Sequence, residues 1–155
     1  MDISPDLHIK TCLFESESGA VIHRIRTAVF QKEQGIDPAL DWDGLDQKSI
    51  HLLATVGSES AGCARVREIS DSPSLKLERL AVLPAYRRQG IGGEIVQTAI
   101  AYSQSQGYTT LLLHAQMPTV EFYQQLGFTV VGEPFEEAGI MHLKMERSLA
   151  TTSVL

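Results

Sequence analysis

The chain has 155 residues, 43% hydrophobic and 21% charged, which suits one compact domain with a single sizeable core over residues 1–150. Its formal net charge of −6 lacks the surplus of Lys and Arg that counterion release needs, which excludes a general binder of nucleic acid or anionic membrane. No stretch approaches the ~20 apolar residues of a membrane span, and the opening MDISPDLHIK lacks a basic-then-apolar leader, so the expected location is the cytoplasm.

Alternation in LHIKTCLF (7–14) predicts a first strand, and helical spacing through Ile22, Ile25 and Val29 predicts a helix that Ser18 would cap. GIDPALDWDGLDQK (35–48) breaks both periods and predicts a loop or short helix. IHLLATVG and AGCARVREI form a hairpin about a Gly57–Ser60 turn, and LKLERLAVL (75–83) is the next strand, in a sheet that is antiparallel to this point. Ile91, Ile95, Val96, Ala99 and Ile100 keep helical spacing up to Gly107. TTLLLHA (109–115) predicts a central strand buried on both faces, PTVEFYQQLG a short helix closed by Gly127, and FTVVGE with GIMHLKMER two last strands; residues 151–155 read as a frayed tail. A strand–helix–strand crossover over about 75–115 makes two neighbouring strands parallel, giving a mixed α/β (α+β) sheet with a ligand expected at their carboxyl ends.

Cys12 and Cys63 show no CxxC or Cys/His spacing and read as reduced, buried thiols, and none of the five histidines falls in HExxH, so no metal is expected. The segment where the ligand should sit is YRRQGIGGEI (86–95). At a helix start the unpartnered N–H groups and the dipole favour an anion; Gly90, Gly92 and Gly93 let it come close, and Arg87 and Arg88 add charge-assisted hydrogen bonds. A P-loop is excluded because Glu94 follows Gly93, and a dinucleotide fingerprint because Ile95 holds the place of its third glycine.

The spacing Arg87, Gly90, Gly92 between a strand and a helix resembles the coenzyme A pyrophosphate loop of the GNAT superfamily of N-acetyltransferases. LERLAVLPAYRRQGIGGEI is similar to that family's fourth strand and following helix, and HAQMPTVEFYQQLGF to its fifth strand, short helix and aromatic terminus, so the resemblance covers about 20–147. RTAVFQKEQG, DWDGLDQKSIH and FEEAGIMHLKM further resemble the ElaA-like branch; the first also resembles acyl-homoserine-lactone synthases.

The resemblance implies a GNAT fold, a mostly antiparallel sheet with helices on both faces and one splayed parallel pair, that takes acetyl-CoA as acyl donor, without a metal. It implies cofactor contacts from Leu80, Ala81 and Val82 to the pantetheine, from Arg87, Arg88, Gln89, Gly90, Ile91, Gly92 and Gly93 to the phosphates, and from Gln116, where relatives often carry Asn. Tyr123 corresponds to the acid that protonates the departing thiolate, and Glu78 is the candidate base, although the family's best-known register would put Lys76 there. The other reading of Glu78 is a carboxylate paired with Arg79 or Arg65. Glu33, His51 and His114, with Trp42 and Asp46, are candidate acceptor contacts, His114 also an alternative base, against core or turn roles for each. The expected reaction is acetyl transfer to a primary amine of a small molecule or peptide, with a homodimer as the expected assembly; the alternatives are a non-catalytic acyl-CoA-binding module and a homoserine-lactone-type acyltransferase.

Overall fold

A computed structural model describes residues 3–150, so the tail expected at 151–155 lies outside the described residues. The strands are β1 (Leu7–Cys12), β2 (Ile50–Val56), β3 (Glu59–Glu68), β4 (Ser74–Val82), β5 (Thr110–Gln116), β6 (Thr129–Glu137) and β7 (Ile140–Ser148). They form one sheet in the order β1-β2-β3-β4-β5-β7-β6, antiparallel except for the β4–β5 pair. The β2–β3 turn is tighter than its sequence suggests: Gly57, at φ 60, and Ser58 make it alone, while Glu59 and Ser60 already belong to β3.

Helix α1 (Ser18–Arg26) passes into a π-helical stretch over Thr27–Glu33, followed by the short α2 (Pro38–Asp41). Ser18 is the first helical residue, not the cap; Glu17 stands before it and makes no side-chain cap bond. Next to it, a Cβ on Gly19 would lie 1.8 Å from the Phe14 carbonyl oxygen, so only glycine lets the chain turn that tightly from β1 into α1. Asp37 caps α2 by accepting from the Ala39 N–H at 2.9 Å, with Pro38 in the first turn. The remaining helices are α3 (Ile91–Ser105) and α4 (Val120–Gln125).

Each sheet face buries a helix. Ile91, Ile95, Val96, Ala99 and Ile100 of α3 pack on Leu52, Val66, Leu77, Leu111 and Leu113. On the opposite face Ile22, Ile25, Val29 and Phe30 pack on Leu53, Cys63 and Ala81. Burial raises the Cys63 thiol to about 12, so it is an inert core group, whereas Cys12 is only half-buried. The expectation that the fifth strand is buried on both faces fails on one of them. Leu111, Leu113 and Ala115 are buried, but Leu112, His114 and Gln116 are only half covered, because α1 and its π-helical continuation lie over β3 and β4.

Two features open the sheet. β4 and β5 pair only from Ser74↔Thr110 to Leu77↔Leu113; beyond that β4 follows β3 and β5 follows β7. Ala81 faces Cys63 while Glu78 faces Arg65, so Arg79 and Leu80 form a bulge, with Arg79 in the left-handed region at φ 58. A bulge bends and twists the strand that carries it, which turns the end of β4 away from β5.

Candidate active site

The parted strands form the floor of a cleft of about 430 Å³. Lys76, Glu78 and Arg79 of β4 form one wall, His114 and Gln116 of β5 the other; Phe30 and Gln34 of the first helical unit overhang it, and Tyr123 of α4 closes an end.

The β4 wall rests on buried ion pairs. Arg26, 1% exposed, donates from Nε to Asp41 at 3.1 Å and from Nη1 to Asp46 at 2.5 Å, and stacks 4.3 Å from the Trp42 ring centre. Arg65, fully buried, donates to Asp43 at 2.7 and 2.8 Å, to Asp46 at 3.0 Å and to Glu78. Glu78 also accepts from Arg67 at 3.0 Å and lies 3.1 Å from Lys76. Trp42, stacked on His23 at 4.4 Å, and Asp46 therefore build the wall behind the cleft and do not line it.

Burial alone would raise the Glu78 carboxyl, but hydrogen bonds from Arg67 and Arg65 and the charges of Arg65 and Lys76 win, holding it down at about 2. Asp43 is held well below the usual carboxylate range by Arg65 in the same way. A carboxyl whose folded value is depressed contributes stability that is whole above its unfolded value and is lost as the pH falls toward the folded one. With a shift from 4.5 to about 2, Glu78 is expected to contribute about 3 kcal/mol that disappears between roughly pH 5 and 2. Urea unfolding followed across that range should show the loss, and Glu78→Gln should flatten it.

His114 Nδ1 lies 2.9 Å from Glu137 Oε2, and its ring stands edge-on to Phe135 at 4.9 Å. With the Nδ1 proton donated to Glu137, Nε2 keeps a free lone pair. Tyr123 is 8% exposed, T-shaped to Phe122 at 4.9 Å and to Phe128 at 5.8 Å. Burial pushes its phenol up, and the hydroxyl has no hydrogen-bond partner among the described residues. His51 is corrected to a core residue. It is wholly buried, its Nε2 2.9 Å from the Asp46 carbonyl oxygen, with Nδ1 unpartnered and burial lowering its pKa; it does not reach the cleft.

Beyond the end of β4 lies a second depression, lined by Val82, Tyr86, Arg87, Arg88, Gly90, Ile91, Gly92, Gly93 and Phe122. Arg88 at φ 63 and Gly90 at φ 81 are both left-handed, a geometry that aims successive N–H groups to one side of a loop. Gly90 is the α3 cap without a side chain to offer, and the first helical bond is Glu94 N–H to the Gly90 carbonyl at 3.1 Å, so the first-turn amides are left free. A Cβ on Gly93 would meet nothing within 4 Å, and one on Gly92 only ordinary contacts at 3.6 Å from Phe122 and 3.7 Å from Val82. The fold itself has no steric need for either glycine.

Glu33 also differs from its expected place. It faces the loop, not the acceptor cleft: Arg87 donates to its two oxygens at 2.7 and 2.6 Å and, from Nε, to the Val82 carbonyl at 2.8 Å. The neighbouring Gln34 accepts from Gln116 Nε2 at 3.0 Å, so the end of the π-helical stretch ties to both sides of the opening. Two functional candidates escaped the sequence reading. Glu137 lay inside the stretch FEEAGIMHLKM without a spacing that linked it to His114, and Arg67 alternated on β3 like any solvated charge.

Known proteins agree with this geometry. The family model described as an acetyltransferase (GNAT) domain matches residues 20–149. An uncharacterized N-acetyltransferase, YjcF of Bacillus subtilis (strain 168), is 35% identical over 122 residues, which are 78% of this chain and 86% of that one. The crystal structure of Escherichia coli ElaA superposes with a TM-score of 0.80 at 27% identity, covering 91% of this chain and 99% of that one. A GNAT family acetyltransferase from Elizabethkingia anophelis with acetyl-CoA bound shares the fold, with a TM-score of 0.73 at 16% identity over 94% of this chain and 99% of that one. With its splayed parallel pair, its glycine-rich helix start and a family match over most of its length, the chain belongs to the GNAT family of acetyltransferases.

Proposed function

We propose that this acetyltransferase moves the acetyl group of acetyl-CoA to a primary amine by direct attack in a ternary complex, and that it belongs with the ElaA-like branch. The observation that carries the reading is the parting of β4 and β5 after Leu77 and Leu113, which leaves strand backbone open between an amide-lined cradle and a charged cleft. The pantetheine adds along Leu80, Ala81 and Val82 as an extra strand. The diphosphate sits on the amides around Gly90, Ile91, Gly92 and Gly93, with Gln89 and Arg88 beside it and Arg87 once Glu33 releases it. A backbone N–H near Val82 stabilises the oxyanion of the attacked thioester, and Tyr123 protonates the leaving thiolate. The neighbour from Elizabethkingia anophelis, which carries acetyl-CoA on the same fold, supports the choice of donor.

The proton of the attacking ammonium goes to His114 Nε2, whose tautomer Glu137 sets. Glu78 is moved from base to positioning residue: a carboxylate held near 2 is a poor acceptor for the proton of an amine of pKa ~10.4. Its task is to hold Arg67 and Lys76 at the cleft.

Free thiol should appear only when acetyl-CoA and an amine are both supplied. Coenzyme A binding without thiol release across an amine panel would leave a binding module instead. Gly93→Ala separates the cradle from the fold. Alanine in the first turn of α3 has room and gains up to about 1 kcal/mol of helix propensity. Its melting temperature should therefore hold or rise while coenzyme A affinity falls roughly tenfold, the penalty of a methyl group between amide and phosphate. Unchanged affinity would remove this turn from the site.

A further inference from the structure

The charged cleft is divided. On the β4 side, Arg26, Arg65 and Arg79 are matched by Asp41, Asp43 and Asp46, but Arg67 and Lys76 have only Glu78 between them, and Arg65 shares even that. The β4 side thus carries one more cation than carboxylate, in a chain whose net charge is −6, and the excess falls where Arg67 and Lys76 line the cleft; the Lys76 charge is also felt by Glu137 in the same lining. Among the described residues Glu78, at 3.1 Å, is the carboxylate paired directly with Lys76 Nζ, and the Lys76 side chain is 13% exposed. Glu137 with His114 stands opposite, so the facing walls carry opposite sign.

The register orders these groups along the floor. Lys76 lies opposite Leu112 on β5, and His114 is the next residue on the same face toward the parted end, about 7 Å further along the strand. The Lys76 side chain reaches forward to Glu78, so an acceptor with its nitrogen at His114, within reach of a thioester between the strands, has Lys76 and Arg67 on the β4 side of the same cleft.

We infer that the acceptor is an amino acid-like amine whose carboxylate seats on Lys76 and Arg67 while its ammonium meets His114 Nε2, on the side of the imidazole away from Glu137. This rests on the transfer reading for the position of the reacting carbonyl. A diamine would bring a second cation against Lys76 and Arg67, a like-charge contact that disfavours it despite the acidic character of the chain as a whole.

Calorimetry on the coenzyme A-loaded protein tests this with γ-aminobutyrate, δ-aminovalerate, their primary amides, putrescine and aminopropyl phosphate. At least one amino acid should bind tenfold or more tighter than its amide and than putrescine. In Lys76→Met and in Arg67→Met, with coenzyme A titration confirming a folded site, that ratio should fall below threefold. Equal binding of acid and amide, preference for putrescine, or binding of none overturns the inference; tighter binding of aminopropyl phosphate overturns the carboxylate in favour of a phosphate. Selective binding of the acid without thiol release from acetyl-CoA would leave this inference standing and overturn the transfer reading. Thiol release that ignores the carboxylate would do the reverse.

Discussion

Tyr123→Phe is expected to lower turnover about a hundredfold while leaving coenzyme A affinity within twofold. The ring sits among Phe122 and Phe128, so phenylalanine keeps the packing and removes only the hydroxyl. Burial raises the phenol, which stays protonated across neutral pH and ready to donate when a thiolate departs. A fall in kcat with an unchanged melting temperature would assign the loss to chemistry. His114→Gln gives a contrast that separates acid from base. Its deficit should shrink as the pH approaches ~10.4, where the acceptor amine deprotonates unaided, while the Tyr123→Phe deficit should not. Equal turnover in Tyr123→Phe and the parent enzyme would take the phenol out of the mechanism.

Arg65→Met should be the most destabilising single replacement at the cleft, at about 3–5 kcal/mol, or on the order of 10 °C in melting temperature. Arg65 is fully buried and holds Asp43, Asp46 and Glu78 together. Methionine fills most of its volume but leaves three carboxylates short of a donor, and this uncompensated charge is what makes breaking a buried pair expensive. Arg24→Met, on the exposed side of α1, is expected to cost less than about 0.5 kcal/mol and serves as the control. Thermal unfolding of the two variants side by side measures the difference. If the two melt alike, the buried ion pairs are not what holds the β4 wall.

Local rules made most of the fold legible. Period-two and helical spacing located the strands and helices, and the crossover between LKLERLAVL and TTLLLHA set the parallel pair. The glycine-rich start of α3 was legible too, because Gly90, Gly92 and Gly93 form a local signal whose left-handed cap and open space follow from residue type. Long-range pairings stayed hidden. Arg87 reaches Glu33 across 54 positions and Gln116 reaches Gln34 across 82, and no spacing rule connects them. Arg26 read as one more helix charge until the loop carrying Asp41 and Asp46 folded over it. For Glu78 the sequence supplied both readings, base or partner of Arg65. Only the convergence of Arg65, Arg67 and Lys76 on one carboxylate gives the pairing its weight. The half-covered face of β5 was missed because Leu111, Leu112 and Leu113 look alike in sequence, although an incomplete helical layer leaves Leu112 and His114 beside a cleft.

The proposed transfer depends on the amides at the start of α3 holding a nucleotide diphosphate. Isothermal titration of the folded protein with coenzyme A and with acetyl-CoA tests it most directly. Saturable one-to-one heat for both, with a dissociation constant at or below about 1 mM and weakened in Gly93→Ala, is the predicted result; a folded sample that takes up neither ligand would contradict it.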